Sequence, residues 1–213
     1  MTIGFITGLT AEARLLAGAS RFVGVGGGTP EGAASATESL IGLGASGLIS
    51  FGLAGGLDPA LSPGFLLVPQ RIIEQDTIHE CDPRLIEKIG GTTVGLLLGG
   101  DVVAATIAAK TVLFGRSGAS AIDLESGAVA RVAQAHGVPF AVLRAVADPA
   151  WRDLPPAAIV ALDNVGRIAI GRIALSIVRQ PGQIPALVIL ARDAAKARRA
   201  LLARVKLRFS TSP

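Results

Sequence analysis

The sequence predicts an α/β domain built in three layers. Short apolar runs, typical of buried strands, alternate along the chain with segments of helical spacing. Several of these runs end in a glycine or an acid, at Gly8, Gly27, Gly55, Asp101 and Asp148. Because ligands of open α/β sheets bind at the carboxyl ends of the strands, these positions predict a site along that edge.

The predicted strands are apolar runs that stop at turn residues. They are IGFITGL (3–9), RFVGVGG (21–27), GLISFGLAGGL (47–57), FLLVPQRIIEQ (65–75), TTVGLLLGGDVV (92–103) and PFAVLRAVAD (139–148), with a further strand leading into AIDLES. Helices are predicted over LTAEARLLAGA, TPEGAASATESLIGLGA, DPRLIEKIG, DVVAATIAAKTVLFG and SGAVARVAQAHG, and two more finish the chain. The clearest helix start is at Thr29, which can cap, with Pro30 in the first turn and Glu31 at the positive end of the helix dipole.

Length and composition indicate one domain over residues 1–213. The sequence shows no repeat and no low-complexity linker, and 213 residues suffice for a sizeable core. Hydrophobic residues make up 50% and the mean hydropathy is +0.57, yet no uninterrupted apolar run reaches the ~20 residues of a membrane span. The single cysteine, Cys81, excludes an internal disulfide, so we expect a reducing, cytoplasmic location.

The positive charge of the chain is concentrated at its C-terminal end. The net charge is +4, but the residues from Ala186 onwards carry +6 and the rest of the chain −2. Apolar side chains recur there at helical spacing, at Leu187, Leu190, Ala194, Ala197, Leu201 and Val205. This predicts a basic amphipathic helix at about 186–209. Such a helix either lies on the anionic inner face of a membrane as a peripheral contact, or packs on the body or on a partner subunit.

Three familiar kinds of site do not match the sequence. The glycines of GVGGGTPEG (24–32) give G-x-G-x-x-T, and no acid ends a following strand about 20 residues on, so a dinucleotide is not expected. His79 with Cys81 and Asp82 matches no standard metal site, so no metal is expected. With no Tyr and one Trp, the chain offers poor stacking platforms, so nucleic acid is not an expected partner.

Four segments near predicted strand ends are the candidates for chemistry: Glu12 after the first strand, LAGGL (53–57), the pair Asp123/Glu125, and LRAVADPA with Arg144 and Asp148. Each has a structural alternative: Glu12 as a solvated helix residue, Glu125 as a helix-start residue, Arg144 as an ion-pair partner and Asp148 as an N-cap before a proline.

Taken together and in order, these segments resemble the purine nucleoside phosphorylase/nucleosidase superfamily, and the methylthioadenosine/S-adenosylhomocysteine nucleosidases in particular. The segments that carry the resemblance are IGFITGLTAEARLL, Gly52–Gly56 for a G-S-A-G-G turn, Gly99–Asp101 for an S-G-D turn, Ile122–Glu125 for V-E-M-E, and PFAVLRAVAD for P-F-x-x-x-R-x-x-S-D. The resemblance covers roughly residues 1–150. It implies an α/β/α sandwich with a central mixed sheet and a homo-oligomer.

The resemblance implies a catalytic role for each of three acids. Glu12 would activate water, Glu125 would hold the ribose hydroxyls, and Asp148 would protonate or hydrogen-bond N7 of the leaving purine. Substrate-binding positions are expected at Gly8, Ala54, Gly55, Val103, Asp123, Leu124 and Arg144, with Leu124 packed under the ribose.

The chemistry of N-glycosidic cleavage agrees with these roles. The reaction produces an oxocarbenium-like sugar, which a carboxylate stabilises, and a purine that needs a proton. Asp148 must therefore be protonated near neutral pH, which requires a pKa raised by burial. The carboxylate of Glu12 would repel phosphate and favours hydrolysis, whereas the nearby Arg14 leaves phosphorolysis open. Phosphate is therefore a candidate co-substrate, and no other cofactor is expected.

Three departures from the nucleosidase pattern predict a more apolar pocket. Leu53 and Ala147 replace serines of the pattern, and Val103 falls where nucleosidases often place a phenylalanine against adenine.

A closer resemblance, to the hopanoid-associated phosphorylase group, spans nearly the whole chain. It rests on LISFGLAGGLDPALSPGFLLVP, AIDLESGAVARVAQAHGVPFAVLRAVADPA, RDLPPAAIVALD and PALVILARDA. It implies removal of adenine from adenosylhopane, a lipid-linked purine nucleoside, to leave a ribosyl-hopane or its phosphate. The alternatives are a nucleosidase for methylthioadenosine or S-adenosylhomocysteine, and a non-catalytic nucleoside- or lipid-binding protein on the same fold.

Overall fold

The computed structural model describes residues 1–159 and 170–209, which form a mixed sheet with helices packed against it. The strands are β1 (Ile3–Thr7), β2 (Val23–Val25), β3 (Gly47–Gly56), β4 (Leu66–Leu67), β5 (Pro69–Glu74), β6 (Thr77–Glu80), β7 (Val94–Gly99), β8 (Ala121–Asp123) and β9 (Phe140–Asp148). The helices are α1 (Thr10–Ala13), α2 (Pro30–Gly42), α3 (Pro83–Ile89), α4 (Ile107–Ser117), α5 (Ser126–Ala135), α6 (Pro156–Ile159), α7 (Ile170–Arg179) and α8 (Ile184–Phe209).

The sheet branches at β3. Its strand order is β2-β1-β3-β8-β7-β5-β6, and β9 pairs in parallel with β3 from Leu48 to Gly55. At Gly55 and Gly56 the edge of β3 also pairs with β8, which runs antiparallel to it, and the register with β9 shifts after Ala54. This branch brings the carboxyl ends of β8 and β9 to the same end of β3. The predicted α/β class with a central mixed sheet is confirmed.

The core lies on the central strands. Every residue of β9 is buried, because α5 and α8 both pack on this strand. Phe5 of β1 makes edge-to-face contacts with Phe51 and with Phe209, at ring-centroid distances of 6.2 and 5.2 Å. The last residue of α8 is therefore anchored to the first strand, and edge-to-face aromatic pairs of this kind stabilise by about 1 kcal/mol beyond burial.

The helix predicted at about 186–209 is present as α8. Its second half packs on the body, with Ala197, Leu201 and Val205 buried in the core. Arg204 on the same half donates to the carbonyl of Ile89 at 2.9 Å. In this half of α8 the apolar side chains pack on the body of the protein, which was one of the predicted alternatives. They therefore do not face a bilayer. Among the described helices, none is long and apolar enough to cross a membrane.

Two local predictions were wrong. The helix predicted from Asp101 begins at Ile107, because the Thr106 side chain caps it there by accepting from the Ala109 amide at 3.1 Å. The single strand predicted over 65–75 is divided between β4 and β5, and β5 turns back into β6, which the sequence did not predict. Strand β6 is a short edge strand that is largely exposed, so it lacks the apolar run that marks a buried strand.

Candidate active site

A cavity of about 210 Å³ opens at the carboxyl ends of β1, β3, β8 and β9. The predicted site residues that line it are Glu12, Ala54, Gly55, Val103, Asp123, Leu124, Glu125, Arg144 and Asp148. The remaining one, Gly8, lies directly behind Glu125. The structure thus brings together residues that are more than 130 positions apart in the sequence. The site roles themselves stay predictions.

Glu12 is held in one orientation by two backbone amides. It lies in α1, and its two oxygens accept from the amides of Leu9 at 2.9 Å and Leu53 at 2.8 Å. The side chain is buried, and burial raises the pKa of Glu12 above its usual value, although Arg144 partly offsets this. A carboxylate with a raised pKa is a stronger base, so this geometry suits proton abstraction from a bound nucleophile.

Arg144 is the central cation of the site. This fully buried side chain of β9 places Nε 2.6 Å from Asp123 Oδ2 and Nη2 2.9 Å from Glu125 Oε2. Nη2 also donates to Ser50 Oγ at 2.7 Å. A buried guanidinium needs partners of this kind, because an uncompensated buried charge is strongly destabilising. Arg144 is therefore committed to the protein's own carboxylates.

The two acids of AIDLES differ in their surroundings. Asp123 Oδ1 accepts from the backbone amides of Ser126 at 2.9 Å and Glu125 at 3.2 Å, while Oδ2 contacts Arg144 and the Ser126 hydroxyl. Both oxygens are thus occupied at the start of α5. These contacts orient Glu125 and Arg144, and Asp123 also lines the cavity, so its predicted role in binding substrate stays a prediction.

Glu125 combines deep burial with neighbours of both charges. Burial raises its pKa to about 7; Arg144 acts against this, while Asp123 and Glu12 add to it. Its Oε1 lies so close to Gly8 that a Cβ there would overlap it. The Gly8 backbone, which follows β1, therefore sets how far Glu125 can retreat from the cavity.

Asp148 ends β9 with one oxygen engaged and the other free. Its Oδ2 lies 2.6 Å from Lys110 Nζ, whereas Oδ1 is buried with no hydrogen-bond partner among the described residues. Burial raises the pKa of Asp148, and the hydrogen bond and charge of Lys110 act in the opposite direction. A buried orphan carboxyl oxygen on a cavity wall is suited to a ligand donor or acceptor.

Three polar residues around the site were not among the predicted ones. Ser126 donates to or accepts from Ser50 at 3.0 Å, and together they bridge Asp123 and Arg144. Lys110 contacts Asp148 from α4. The position of Ser126 directly after Glu125 was a usable signal for one of them. Ser50 inside an apolar strand and Lys110 between alanines and threonine carried none.

Apolar side chains form much of the cavity wall. Among them are Leu9, Leu53, Ile122, Ala147 and Leu154. Of the glycine-rich 24–32 segment, only Gly28 reaches the wall, and Arg14 is exposed and is not part of it. Over residues 1–159 and 170–209, no three histidine, cysteine or acidic side chains are grouped as a metal site would require. The absence of a cofactor stays a prediction.

Fold and family together define the class of this protein. A mixed sheet with four buried acids and an arginine at its carboxyl edge suits enzymes that cleave N-glycosidic bonds of nucleosides. The chain belongs to the phosphorylase superfamily, whose family model matches residues 6–179. The prediction of an enzyme that cleaves N-glycosidic bonds is confirmed at this level.

Solved structures of nucleosidases share the fold. The Neisseria meningitidis 5′-methylthioadenosine/S-adenosylhomocysteine nucleosidase, in complex with methylthio-immucillin-A, is 18% identical with a TM-score of 0.68, covering 97% of this chain and 98% of that chain. The native futalosine hydrolase of Helicobacter pylori strain 26695 is 18% identical with a TM-score of 0.67, covering 96% of this chain and 97% of that one. At this identity the likeness is one of fold. No curated protein sequence matches the chain.

Proposed function

We propose that the protein hydrolyses the N-glycosidic bond of an adenosine that carries a bulky apolar 5′ substituent. The resemblance to the hopanoid-associated group names adenosylhopane as this substrate, with adenine and a ribosyl-hopane as products. One observation carries the choice of hydrolysis. Glu12 is buried on the cavity wall, held by two backbone amides, and the arginine beside it is already paired with two carboxylates.

The reaction assigns one task to each acid. The bond between C1′ and N9 breaks, the electron pair leaves with the purine, and Asp148 gives its proton to N7. Glu125 holds the ribose hydroxyls and stabilises the positive charge that develops on the sugar. Water adds to C1′ and passes a proton to Glu12. The net reaction consumes one water and yields adenine and a free sugar.

The charge of the site supports water over phosphate as the nucleophile. Four acids border the cavity, at Glu12, Asp123, Glu125 and Asp148. Among the described residues, the cations that contact these acids are Arg144 and Lys110, and both already pair with carboxylates. Phosphate would enter a site whose described residues provide four acids and no uncommitted cation, at a high electrostatic cost.

The size and polarity of the cavity support an apolar substituent. A volume of about 210 Å³ is below the ~300–1,000 Å³ of common ligand sites, so a large 5′ group would extend past the cavity edge. Val102 and Val103 on that edge are 75% and 47% exposed. Ligand binding would cover this apolar surface.

The small volume equally favours a compact substrate, so a methylthioadenosine-type nucleosidase is the second candidate.

Adenine release with and without phosphate tests the proposal. The substrates are methylthioadenosine and an adenosine with a large 5′-alkyl group, and Glu12→Gln is the matched variant. We expect phosphate-independent release of a free sugar, a higher kcat/KM for the alkylated substrate, and a loss of activity in Glu12→Gln. Formation of a sugar phosphate would overturn hydrolysis, and a preference for methylthioadenosine would select the second candidate. No release from either substrate would indicate a binding protein.

We also propose that the protein contacts an anionic bilayer through α7 and the start of α8. The exposed apolar side chains there are Leu175, Val178, Ile184, Val188 and Ile189. Exposed basic residues, Arg179 and Arg192, accompany them on the same helices. Apolar side chains with basic neighbours are typical of helices that bind anionic membrane surfaces. An enzyme for a lipid-linked nucleoside would meet its substrate there.

Vesicle co-sedimentation tests the membrane contact. The variant Val178→Asp/Val188→Asp is compared with Val112→Asp, which changes an exposed valine of α4. We expect binding to phosphatidylglycerol vesicles to fall in the double variant alone. Equal binding of all forms would overturn the contact. Light scattering of the same proteins tests the competing use of this surface, the homo-oligomer that the resemblance implies.

A further inference from the structure

We infer that Lys110 is a positioning residue for Asp148: it fixes the carboxyl group so that Oδ1 is presented to the leaving base, and its charge makes Asp148 a readier proton donor. The inference rests on the proposed role of Asp148 as the acid. It assigns a function to a residue of α4 that has no other contact with the proposed chemistry.

The three donors of the Lys110 ammonium have three acceptors. Nζ lies 2.6 Å from Asp148 Oδ2, 2.9 Å from the carbonyl of Pro149 and 2.7 Å from the carbonyl of Arg152. An ammonium group has three hydrogens, so each acceptor takes one of them. The ammonium is thereby immobilised, and it fixes Oδ2 of Asp148. Oδ1 remains as the buried, unpartnered oxygen.

Burying a lysine at this position is energetically unfavourable unless its positive charge has a function. The side chain is fully buried, and transfer of an ammonium group from water to the protein interior is unfavourable unless its charge is paired. A neutral donor would satisfy the two carbonyls of Pro149 and Arg152 equally well. The one partner that specifically requires a positive charge is the carboxylate of Asp148.

The charge balances the effect of burial on the acid. Burial raises the pKa of Asp148 above its usual value; the hydrogen bond and charge of Lys110 lower it, as does the charge of Arg152, while the charge of Asp193 raises it. A general acid transfers its proton best when its pKa lies near the working pH. Lys110, whose Nζ lies 2.6 Å from Oδ2, therefore acts on Asp148 in the direction that favours release of the proton.

The same part of α4 supports the cavity wall. Asp153 Oδ1 accepts from the Ile107 amide at 2.6 Å, and the Leu154 amide donates to the carbonyl of Ala105 at 2.8 Å. Leu154 is a lining residue of the cavity. Lys110 is therefore the buried member of a set of contacts that joins the start of α4 to the segment following β9.

The test compares the wild type with Lys110→Gln, which keeps a donor for the carbonyls and removes the charge. We expect kcat for adenine release to fall at least 10-fold and the alkaline limb of the pH profile of kcat/KM to move to higher pH. In an Asp148→Asn background, Lys110→Gln should have little further effect on kcat. A lower kcat with an unmoved alkaline limb would show a merely structural lysine and overturn the inference.

A second measurement does not depend on activity. Carbon-13 NMR of labelled aspartate, assigned through Asp148→Asn, gives the titration of the Asp148 carboxyl in both proteins. We expect its pKa to rise in Lys110→Gln, and an unchanged titration would overturn the inference. If the wild type released no adenine while this titration moved as expected, the proposed function would fail and the effect of Lys110 on Asp148 would stand.

Discussion

Glu125 Oε1 occupies the space in which any side chain at Gly8 would have to lie. Gly8 follows β1 and Glu125 precedes α5, so two distant parts of the chain meet at this contact. The absence of a Cβ at one position allows the acid proposed to hold the ribose to sit deep in the cavity wall. A catalytic geometry can therefore depend on a residue with no functional group.

Substitution of Gly8 by alanine should displace Glu125 and impair catalysis. We expect kcat/KM for adenine release to fall about 100-fold, because displacing a reacting group by about 1 Å has effects of this size. The control is Gly95→Ala in β7, where an added Cβ meets nothing within 4 Å. Equal activity of the two variants would show that Glu125 has room to move.

Asp148→Asn should abolish proton donation and leave the fold intact. We expect kcat to fall by roughly 10²- to 10⁴-fold, the contribution of a general acid, while the protein stays folded with a lower Tm, because the substitution leaves the buried ammonium of Lys110 without its carboxylate partner. Asp76→Asn, which changes an exposed acid in the β5–β6 turn, is the control. Turnover at the wild-type rate in Asp148→Asn would remove this acid from the mechanism.

The stability of the free protein should fall as pH rises from about 4.5 to about 7. Burial raises the pKa of Glu125 from 4.5 to about 7, so the folded state binds more protons than the unfolded state in this window. Linkage gives a loss of about 3 kcal/mol in the free energy of unfolding, complete above pH 7. Urea titrations at pH 5 and pH 8 measure it.

Glu125→Gln is the matched variant for that measurement. Because glutamine does not titrate, the difference in unfolding free energy between pH 5 and pH 8 should shrink in the variant. The same pH dependence in both proteins would assign the effect to other groups, such as Glu12, whose pKa burial also raises.

Val102→Asp should change substrate preference more than overall activity. The side chain borders the cavity and is 75% exposed, so the substitution leaves the core untouched. A charge there would disfavour an apolar group lying across the edge, so kcat/KM should fall about 10-fold for the 5′-alkylated adenosine and little for adenosine itself. Val112→Asp, on an exposed face of α4, should change neither. A parallel fall for both substrates would place the 5′ group elsewhere.

The central strands could be predicted because short apolar runs between turn residues are typical of buried strands. The segments that form β1, β3 and β9 are apolar runs bounded by turns, and nearly all of their residues are buried in the structure. Strand β6 was missed because Thr77–Glu80 contains a single apolar residue, Ile78, and its side chain is exposed at the edge of the sheet. Burial imposes a pattern on the sequence that an exposed edge does not.

The acids of the site could be predicted from the sequence, but the residues that contact and position them could not. Glu12, Glu125 and Asp148 each follow a recognisable strand, and their chemistry is visible in the residue type. Lys110 is a single lysine in a helix, and nothing in the local sequence shows that it is buried against Asp148. Such a contact joins segments 38 positions apart, so it follows from the packing of α4 and not from its own sequence.

The pairing of Arg144 with Asp123 and Glu125, beside Glu12, limits how this protein can evolve. Loss of any one member leaves buried charge unbalanced, so single substitutions along a path to another nucleophile would pass through less stable intermediates. A lineage that switched from water to phosphate would have to change several of these positions almost together. If the proposed hydrolysis is correct, the choice of nucleophile is therefore harder to alter by single substitutions than the apolar residues at the cavity edge.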